Sequence, residues 1–168
     1  MNEESCLCPP RPPHAQDLVL TRLIDAPAER LYRCWTEPAL LKQWFVPRPW
    51  TIAHVEQDLR PGGASLVVMR DPDGNEYPNA GVYLELVPGR KLVFTDAYGA
   101  GWTPSEKPFM TAIVTFEPEG AYGQQTRYTA IARHWTEEAR KQHEAMGFHT
   151  GWGICADQLQ ELAATLKD

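Results

Sequence analysis

The chain has 168 residues, of which 43% are hydrophobic, enough to bury one sizeable core but hardly two. Its 16 Lys and Arg against 22 Asp and Glu give a formal net charge of −6, and it has no run of basic residues, so nucleic acid is excluded as a partner. The apolar stretches are far shorter than the roughly 20 residues of a membrane span, and no signal peptide is recognisable. The sequence therefore predicts a soluble, cytoplasmic protein without a membrane span.

The first 16 residues differ in composition from the rest of the chain. Four prolines fall within the first 13 positions, and proline both fixes φ and removes the amide donor that helices and sheets need. We interpret residues 1–16 as a disordered, proline-rich head and residues 17–168 as one domain. Cys6 and Cys8 form a C-x-C pair in the head, but without a second Cys/His pair at metal spacing they do not predict a metal site.

A strand and two short helices are predicted after the head. Residues 17–23 are typical of a strand, and Asp25-Ala26-Pro27 supplies a helix start. That helix should end near Glu37, because Pro38 disfavours a helical residue before it, and Pro38 can itself begin a second short helix.

The middle of the chain has the pattern of an antiparallel meander. Short alternating runs rich in Val, Thr, Tyr and Phe are separated by turn residues. They predict six strands, at residues 50–58, 64–70, 76–87, 91–96, 109–117 and 125–134. The link over residues 97–108 is too long for a hairpin turn, and loops of that length are often functional.

A long helix is predicted at the C-terminal end. Thr136 can cap a first helical segment, and Gly147 should kink or interrupt it. Apolar residues then recur at spacings of three and four, which predicts one buried stripe. The stripe consists of Trp152, Cys155, Leu159, Leu162 and Leu166.

This order of elements predicts the class and architecture of the fold. An antiparallel sheet with one apolar face can be covered by a single long helix, and strong curvature then leaves a cavity between them. We predict an α+β helix-grip fold, in which a curved antiparallel sheet wraps around the C-terminal helix and two short helices follow the first strand.

Strand periodicity predicts which side chains line that cavity. Leu92, Phe94 and Asp96 alternate and should share the apolar face, as should Val82 and Leu84. The loop at 97–108 presents a large apolar side chain that either caps a core or closes the pocket. The predicted ligand-binding residues are Met69, Leu84, Phe94, Asp96, Trp102, Tyr128, Phe148 and Trp152.

Asp96 is the one candidate catalytic residue, and its position has two possible interpretations. A carboxylate entering the cavity could act as a general acid or base, with His54 or His134 as a partner. The favoured alternative is a strand-end Asp that accepts hydrogen bonds from the following loop. No cofactor motif is present, and a histidine metal cluster is not predicted because a spacing of six places His143 and His149 on different helix faces.

Several ordered segments carry a resemblance to a known family. They are DAPAERLYRCWTEPALLKQWFVP, DLRPGGASLVVMRDPDG, GVYLELVPGRKLVFTDA, TAIVTFEPEG and GFHTGWGICADQLQELAATL. Over residues 17–166 the chain resembles the heat-shock ATPase-activator-like (Aha-type) branch of the START superfamily, also called SRPBCC or birch-pollen-allergen-like. The resemblance implies a helix-grip fold with a deep hydrophobic cavity, in a superfamily whose members bind lipids, steroids, polyketides or hormones.

Three functions follow from these observations. The leading hypothesis is a protein that binds a small apolar or amphipathic molecule in the cavity. The first alternative is a cyclase- or dehydratase-type enzyme acting there on a polyketide-like or aromatic substrate, and the second is a chaperone-interaction module. The sequence leaves the ligand, turnover and the presence of a homodimer open.

Overall fold

The computed structural model of the protein describes residues 15–166, so residues 1–14 of the predicted head lie outside the described residues. The helices are α1 (Ala28–Thr36), α2 (Pro38–Leu41), α3 (Glu137–Ala145) and α4 (Phe148–Thr165). The strands are β1 (Asp17–Ile24), β2 (Thr51–Gln57), β3 (Ala64–Arg70), β4 (Glu76–Val87), β5 (Lys91–Thr95), β6 (Tyr98–Gly99), β7 (Thr103–Pro104), β8 (Thr111–Glu119) and β9 (Gln125–Arg133).

Seven of these strands form one curved antiparallel sheet. Its order is β1-β9-β8-β5-β4-β3-β2, so β1 and β2 are the two edges and the first strand pairs with the last. The remaining two strands, β6 and β7, form a small hairpin within the link at 97–108. Together with the long C-terminal helix, the sheet confirms the predicted α+β helix-grip fold.

The helix boundaries follow the local chemistry of the sequence. Pro38 occupies the first turn of α2, directly after the end of α1 at Thr36. The Thr136 hydroxyl accepts a hydrogen bond from the Ala139 N–H at 3.0 Å and caps α3. Gly147 has φ of 97°, in the left-handed region that glycine adopts without strain, and it separates α3 from α4.

The buried face of α4 differs from the predicted stripe. Leu159 is fully buried as expected, but Trp152, Cys155, Leu162 and Leu166 are only partly buried. The other buried positions of the helix are Phe148, Gly153, Ala156, Gln158 and Ala163. Three of these residues are small, and they let α4 approach β1 and α1 closely. The buried face of α4 is therefore rotated about the helix axis relative to the predicted stripe of large apolar residues.

A bulge in β4 overturns the predicted alternation at Leu84. The pairing with β5 shifts between Tyr83, opposite Phe94, and Glu85, opposite Val93, so Leu84 has no partner. Val82 and Tyr83 are both buried, whereas Leu84 is 37% exposed. Because Tyr83 belongs to the core, the next side chain, Leu84, lies on the surface, and the extra residue then returns Leu86 rather than Glu85 to the core.

No helix within residues 15–166 combines the length and apolar composition that crossing a bilayer requires.

Candidate functional site

A cavity of about 120 Å³ lies between β2–β5 and the segment of α1 and α2. This cavity does not lie between the sheet and the C-terminal helix, where the sequence predicts one, since α4 contributes no residue to its lining. The physical reason is that α4 packs near the β1 edge, and the two short helices cover the rest of the sheet. The lining residues are Trp35, Leu41, Phe45, Gln57, Ser65, Val67, Met69, Asn79, Ala80, Gly81, Tyr83, Phe94, Thr95, Asp96, Phe109 and Met110.

Aromatic rings form much of the inner wall. The Trp35 ring centroid lies 5.3 Å from that of Phe45 and 5.7 Å from that of Phe94. Phe94 also meets Tyr83 edge-on, at 6.5 Å. Trp35 and Tyr83 are 4% and 2% exposed, so this end is the floor of the cavity. Such a wall favours an apolar or aromatic group.

Two polar side chains accompany the aromatic floor. The Gln57 Nε2 donates hydrogen bonds to the Trp35 carbonyl and to the Tyr83 hydroxyl, each at 2.8 Å. The Trp35 carbonyl can only accept a hydrogen bond, so the nitrogen of the Gln57 side-chain amide, and not its oxygen, must face it. Burial raises the pKa of Tyr83 above its ordinary value, so its hydroxyl is neutral at physiological pH.

Asp96 lies at the rim of the cavity, directly after β5. Its Oδ1 accepts hydrogen bonds from the Phe109 N–H at 2.8 Å and the Met110 N–H at 3.1 Å, and its Oδ2 lies 2.8 Å from the same Phe109 nitrogen. This is the strand-end arrangement favoured by the sequence. It also explains why β8 begins at Thr111 rather than at residue 109: the preceding two amides bond the Asp96 side chain instead of a neighbouring strand.

Gly81 permits the close approach of β4 to β5 beside Asp96. A Cβ at this position would lie 2.2 Å from the Thr95 carbonyl oxygen and 3.3 Å from the Asp96 Cα. Any larger residue would push the two strands apart. The glycine therefore helps to fix the position of the carboxylate.

A second, more open cavity of about 300 Å³ lies beside the first and involves α4. The two share Phe45 and Met69 as lining residues. Burial raises the pKa of the Cys155 thiol in its wall to about 12, so this thiol stays protonated and unreactive. The complete lining is Phe45, Val46, Pro47, Trp50, Met69, Gly151, Trp152 and Cys155.

The structure divides the predicted ligand-binding residues among several places. Met69, Phe94 and Asp96 line the first cavity together, and Trp152 lines the second. Tyr128 and Phe148 are buried in the core and line neither. Tyr128 packs against Phe116 with a centroid distance of 5.9 Å, and Phe148 against Trp152 at 4.7 Å. Neighbouring side chains fill the space around both rings.

Trp102 covers a turn and does not line either cavity. Its side chain is 54% exposed, and it lies edge-on to Tyr98 at 5.8 Å. A Cβ on Gly62 would lie 2.8 Å from the indole ring, so the ring packs directly on the backbone of the β2–β3 turn. Trp102 also has a positive φ of 63°, which is unusual for a large side chain.

Two histidines form a buried pair behind Phe109. The Nε2 of His134 lies 2.8 Å from the Nδ1 of His143, and the Nδ1 of His134 lies 2.9 Å from the Gln16 carbonyl oxygen. Since a carbonyl can only accept, Nδ1 of neutral His134 carries its proton and Nε2 accepts from His143. Burial, with a smaller effect from His134, lowers the pKa of His143 to about 4.

The two histidines predicted as possible partners of Asp96, His54 and His134, both have other partners. His54 is exposed on β2 and lies 3.1 Å from Glu56, whereas His134 bonds Gln16 and His143. Among the residues that the structure describes, the hydrogen bonds to the Asp96 carboxylate come from backbone amides and not from either histidine. Within residues 15–166, no group of three or more His, Cys, Asp or Glu side chains has the arrangement of a metal site.

The predicted ligand-binding set contains three of the sixteen residues that line the first cavity. The sequence predictions assign no binding role to Trp35, Phe45, Gln57 or Tyr83, which form or accompany the aromatic floor. Tyr83 precedes the bulge and faces the cavity in alternation with Asn79 and Gly81 on β4. A signal for the first two was the dense run of aromatic residues around the Pro38 helix break.

Comparison with known proteins identifies the class to which this fold and cavity belong. Residues 25–164 match the family described as "Activator of Hsp90 ATPase homolog 1-like protein". The chain belongs to this family, an Aha-type branch of the START/SRPBCC superfamily. A search of functionally curated proteins found no match.

Solved structures share the fold over nearly the whole domain. A crystal structure of a Nitrosomonas europaea protein is 45% identical, with a TM-score of 0.85 over 89% of this chain and 95% of that one. A Mycobacterium smegmatis protein is 25% identical, with a TM-score of 0.74 over 92% and 94%. The AHSA1 protein from Silicibacter pomeroyi, at 22% identity and a TM-score of 0.65, covers 88% of this chain and 97% of its own, and shares the fold.

Proposed function

We propose that the protein binds a small apolar or amphipathic molecule in the first cavity. The main support for this proposal is that the rings of Trp35, Phe45 and Phe94 line one cavity, and that the rim of this cavity is open to solvent. Phe109 at the rim is 37% exposed, whereas Trp35 on the floor is 4% exposed. A ligand thus has both an apolar interior to occupy and a way in.

The size of the cavity limits the part of the ligand that it can enclose. An apolar cavity of about 150 Å³ accommodates benzene, and this one measures about 120 Å³. The enclosed group is therefore comparable to a single ring or a short branched chain. A larger molecule would extend past the rim or into the second cavity, which shares Phe45 and Met69.

Filling the cavity tests the proposal. Benzyl alcohol, a neutral ring-sized probe, is titrated into ¹⁵N-labelled protein, and amide shifts are followed by NMR. We expect saturable shifts around Trp35 and Phe94, and about tenfold weaker binding by Phe94→Trp, whose larger ring occupies the space. Leu84→Trp adds the same side chain at an exposed position and should bind like the parent.

Two results would contradict the binding proposal. One is the absence of saturable shifts in the parent protein up to the solubility limit of benzyl alcohol. The other is unchanged affinity in a Phe94→Trp variant that retains the dispersed amide spectrum of the folded state. Native mass spectrometry of freshly purified protein supplies an independent measurement, because a co-purifying small molecule would appear as an added mass.

The family match favours a second candidate, an activator-like module acting on a heat-shock ATPase. This candidate predicts that the protein raises the turnover of a purified Hsp90 ATPase. The Phe94→Trp variant separates the two functions, since filling an internal cavity should leave a surface-mediated effect on the ATPase intact. No change in ATPase turnover at saturating protein would remove the second candidate.

A further inference from the structure

The charge of the lining points to a chemical class of ligand, and we propose that it is a compact organic cation. Its ring-sized apolar group lies against Trp35 and Phe94, and its protonated amine lies at the rim against Asp96. This inference rests on the proposed binding function and specifies the ligand of the same cavity.

Asp96 is the only charged side chain among the described residues that line the cavity. The lining includes no Lys, Arg or His within residues 15–166. An anionic ligand such as a carboxylate would thus meet one negative charge and no compensating positive charge there. A cation gains the attraction of that same carboxylate, so the lining discriminates by charge.

The hydrogen bonds of Asp96 hold its carboxylate in a fixed orientation. The backbone amides of Phe109 and Met110 both donate to it. An ionised carboxylate has about four acceptor positions. Because Oδ2 receives only the shared Phe109 amide, it retains the capacity to accept a hydrogen bond from an ammonium group.

The position of Asp96 reduces the cost of bringing a charge to the cavity. The residue is half-buried beside Phe109, which is 37% exposed. An ammonium at this rim keeps part of its hydration, whereas full burial would carry a large desolvation penalty. The rings of Phe94 and Trp35, 5.7 Å apart, hold the apolar part.

Three probes of similar size and different charge test the inference. Benzylammonium, benzyl alcohol and benzoate share one ring and are respectively cationic, neutral and anionic at pH 7. We expect benzylammonium to bind about tenfold more tightly than benzyl alcohol, and benzoate more weakly than either. The dissociation constants are measured by NMR titration or calorimetry at low and at physiological salt.

The variant Asp96→Asn identifies the source of the preference. It should reduce the advantage of benzylammonium over benzyl alcohol to within about twofold, because an amide of similar shape replaces the charge. Asp157→Asn removes one negative charge from an exposed position of α4 and should keep the parent preference. The comparison of the three probes on the parent protein stands even if Asp96→Asn does not fold.

The outcomes separate this inference from the proposed function. If benzyl alcohol binds but benzylammonium binds no more tightly, the cation inference is overturned and the binding function stands. A preference for benzoate overturns it as well, as does a cation preference that Asp96→Asn leaves intact. If none of the three probes binds up to millimolar concentration, the proposed function fails and the inference fails with it.

Discussion

Gln158 is a buried amide that joins α4 to the segment between α2 and β2. Its side chain is 5% exposed. The Nε2 donates to the carbonyls of Trp44 at 2.9 Å and Val46 at 2.8 Å, and the Oε1 accepts from the Arg48 N–H at 3.1 Å. All the hydrogen-bonding groups of the amide are thus used, which is the condition for burying it without a net penalty.

Replacing Gln158 with Leu should destabilise the protein strongly. The two carbonyls and one amide would lose their partner in a place that water reaches poorly, and we expect a loss of about 3 kcal/mol in the free energy of unfolding. Gln160→Leu, on the exposed side of the same helix, should change it by less than about 1 kcal/mol. Urea denaturation of both variants measures the difference, and equal losses would contradict the structural role of Gln158.

At the scale of an element, α4 packs on the rest of the protein through a narrow stripe of buried residues. Leu159 is 0% exposed, whereas Ile154, on another face of the helix, is 39% exposed. Ala156 and Ala163 flank Leu159 at helical spacing and bring the backbone close to the sheet and to α1. Close packing leaves little freedom for the surroundings to relax around a removed side chain.

Truncation of Leu159 tests this anchoring. Leu159→Ala should lower the free energy of unfolding by about 2 to 5 kcal/mol, the usual range for a buried leucine. Ile154→Ala serves as the matched control and should cost less than about 1 kcal/mol, because its side chain is partly hydrated in the folded protein. Thermal unfolding followed by circular dichroism would show the difference, and an unchanged melting temperature for Leu159→Ala would refute it.

At the scale of the whole molecule, the His134–His143 pair connects distant parts of the chain. His134 follows β9 and His143 belongs to α3, while Gln16 precedes β1. The ring of His143 packs against Phe109 at 4.7 Å and Phe148 at 5.3 Å. Protonation of His143 would place a charge among these rings, so the pair makes the stability of the fold dependent on pH.

Acidification should therefore destabilise the protein through His143. Its folded pKa of about 4 lies below its ordinary value of 6.5, so between these values the unfolded state binds more protons. The contribution of neutral, buried His143 to the free energy of unfolding is complete above pH 6.5. It is lost as the pH falls toward 4, by up to about 3 kcal/mol.

The measurement is urea denaturation at several pH values between 7 and 4. His143→Gln can still donate to His134 but does not titrate, so its stability should fall less steeply with pH than that of the parent. His149→Gln, which removes an exposed histidine beside Glu144, should keep the parent slope. Parallel pH profiles for the parent and His143→Gln would contradict the role of this pair.

Element order and boundaries were determined by the sequence itself. Pro38 begins α2 and Gly147 separates α3 from α4, and the Asp71-Pro72-Asp73-Gly74 turn separates two strands through its own backbone preferences. In the same way, alternation along β5 was enough to predict that Phe94 and Asp96 share one face, and both line the cavity. These features depend on neighbours in the sequence, whose chemistry can be read directly.

Only the tertiary structure decided how those elements meet. The β4 bulge beside Leu84 depends on pairing with β5, and the rotation of α4 depends on the surfaces that its small residues approach. The cavity therefore lies under α1 and α2, and the His134–His143 pair forms although their spacing did not predict it. Each of these features depends on contacts between residues far apart in the chain, whose relative positions local periodicity does not specify.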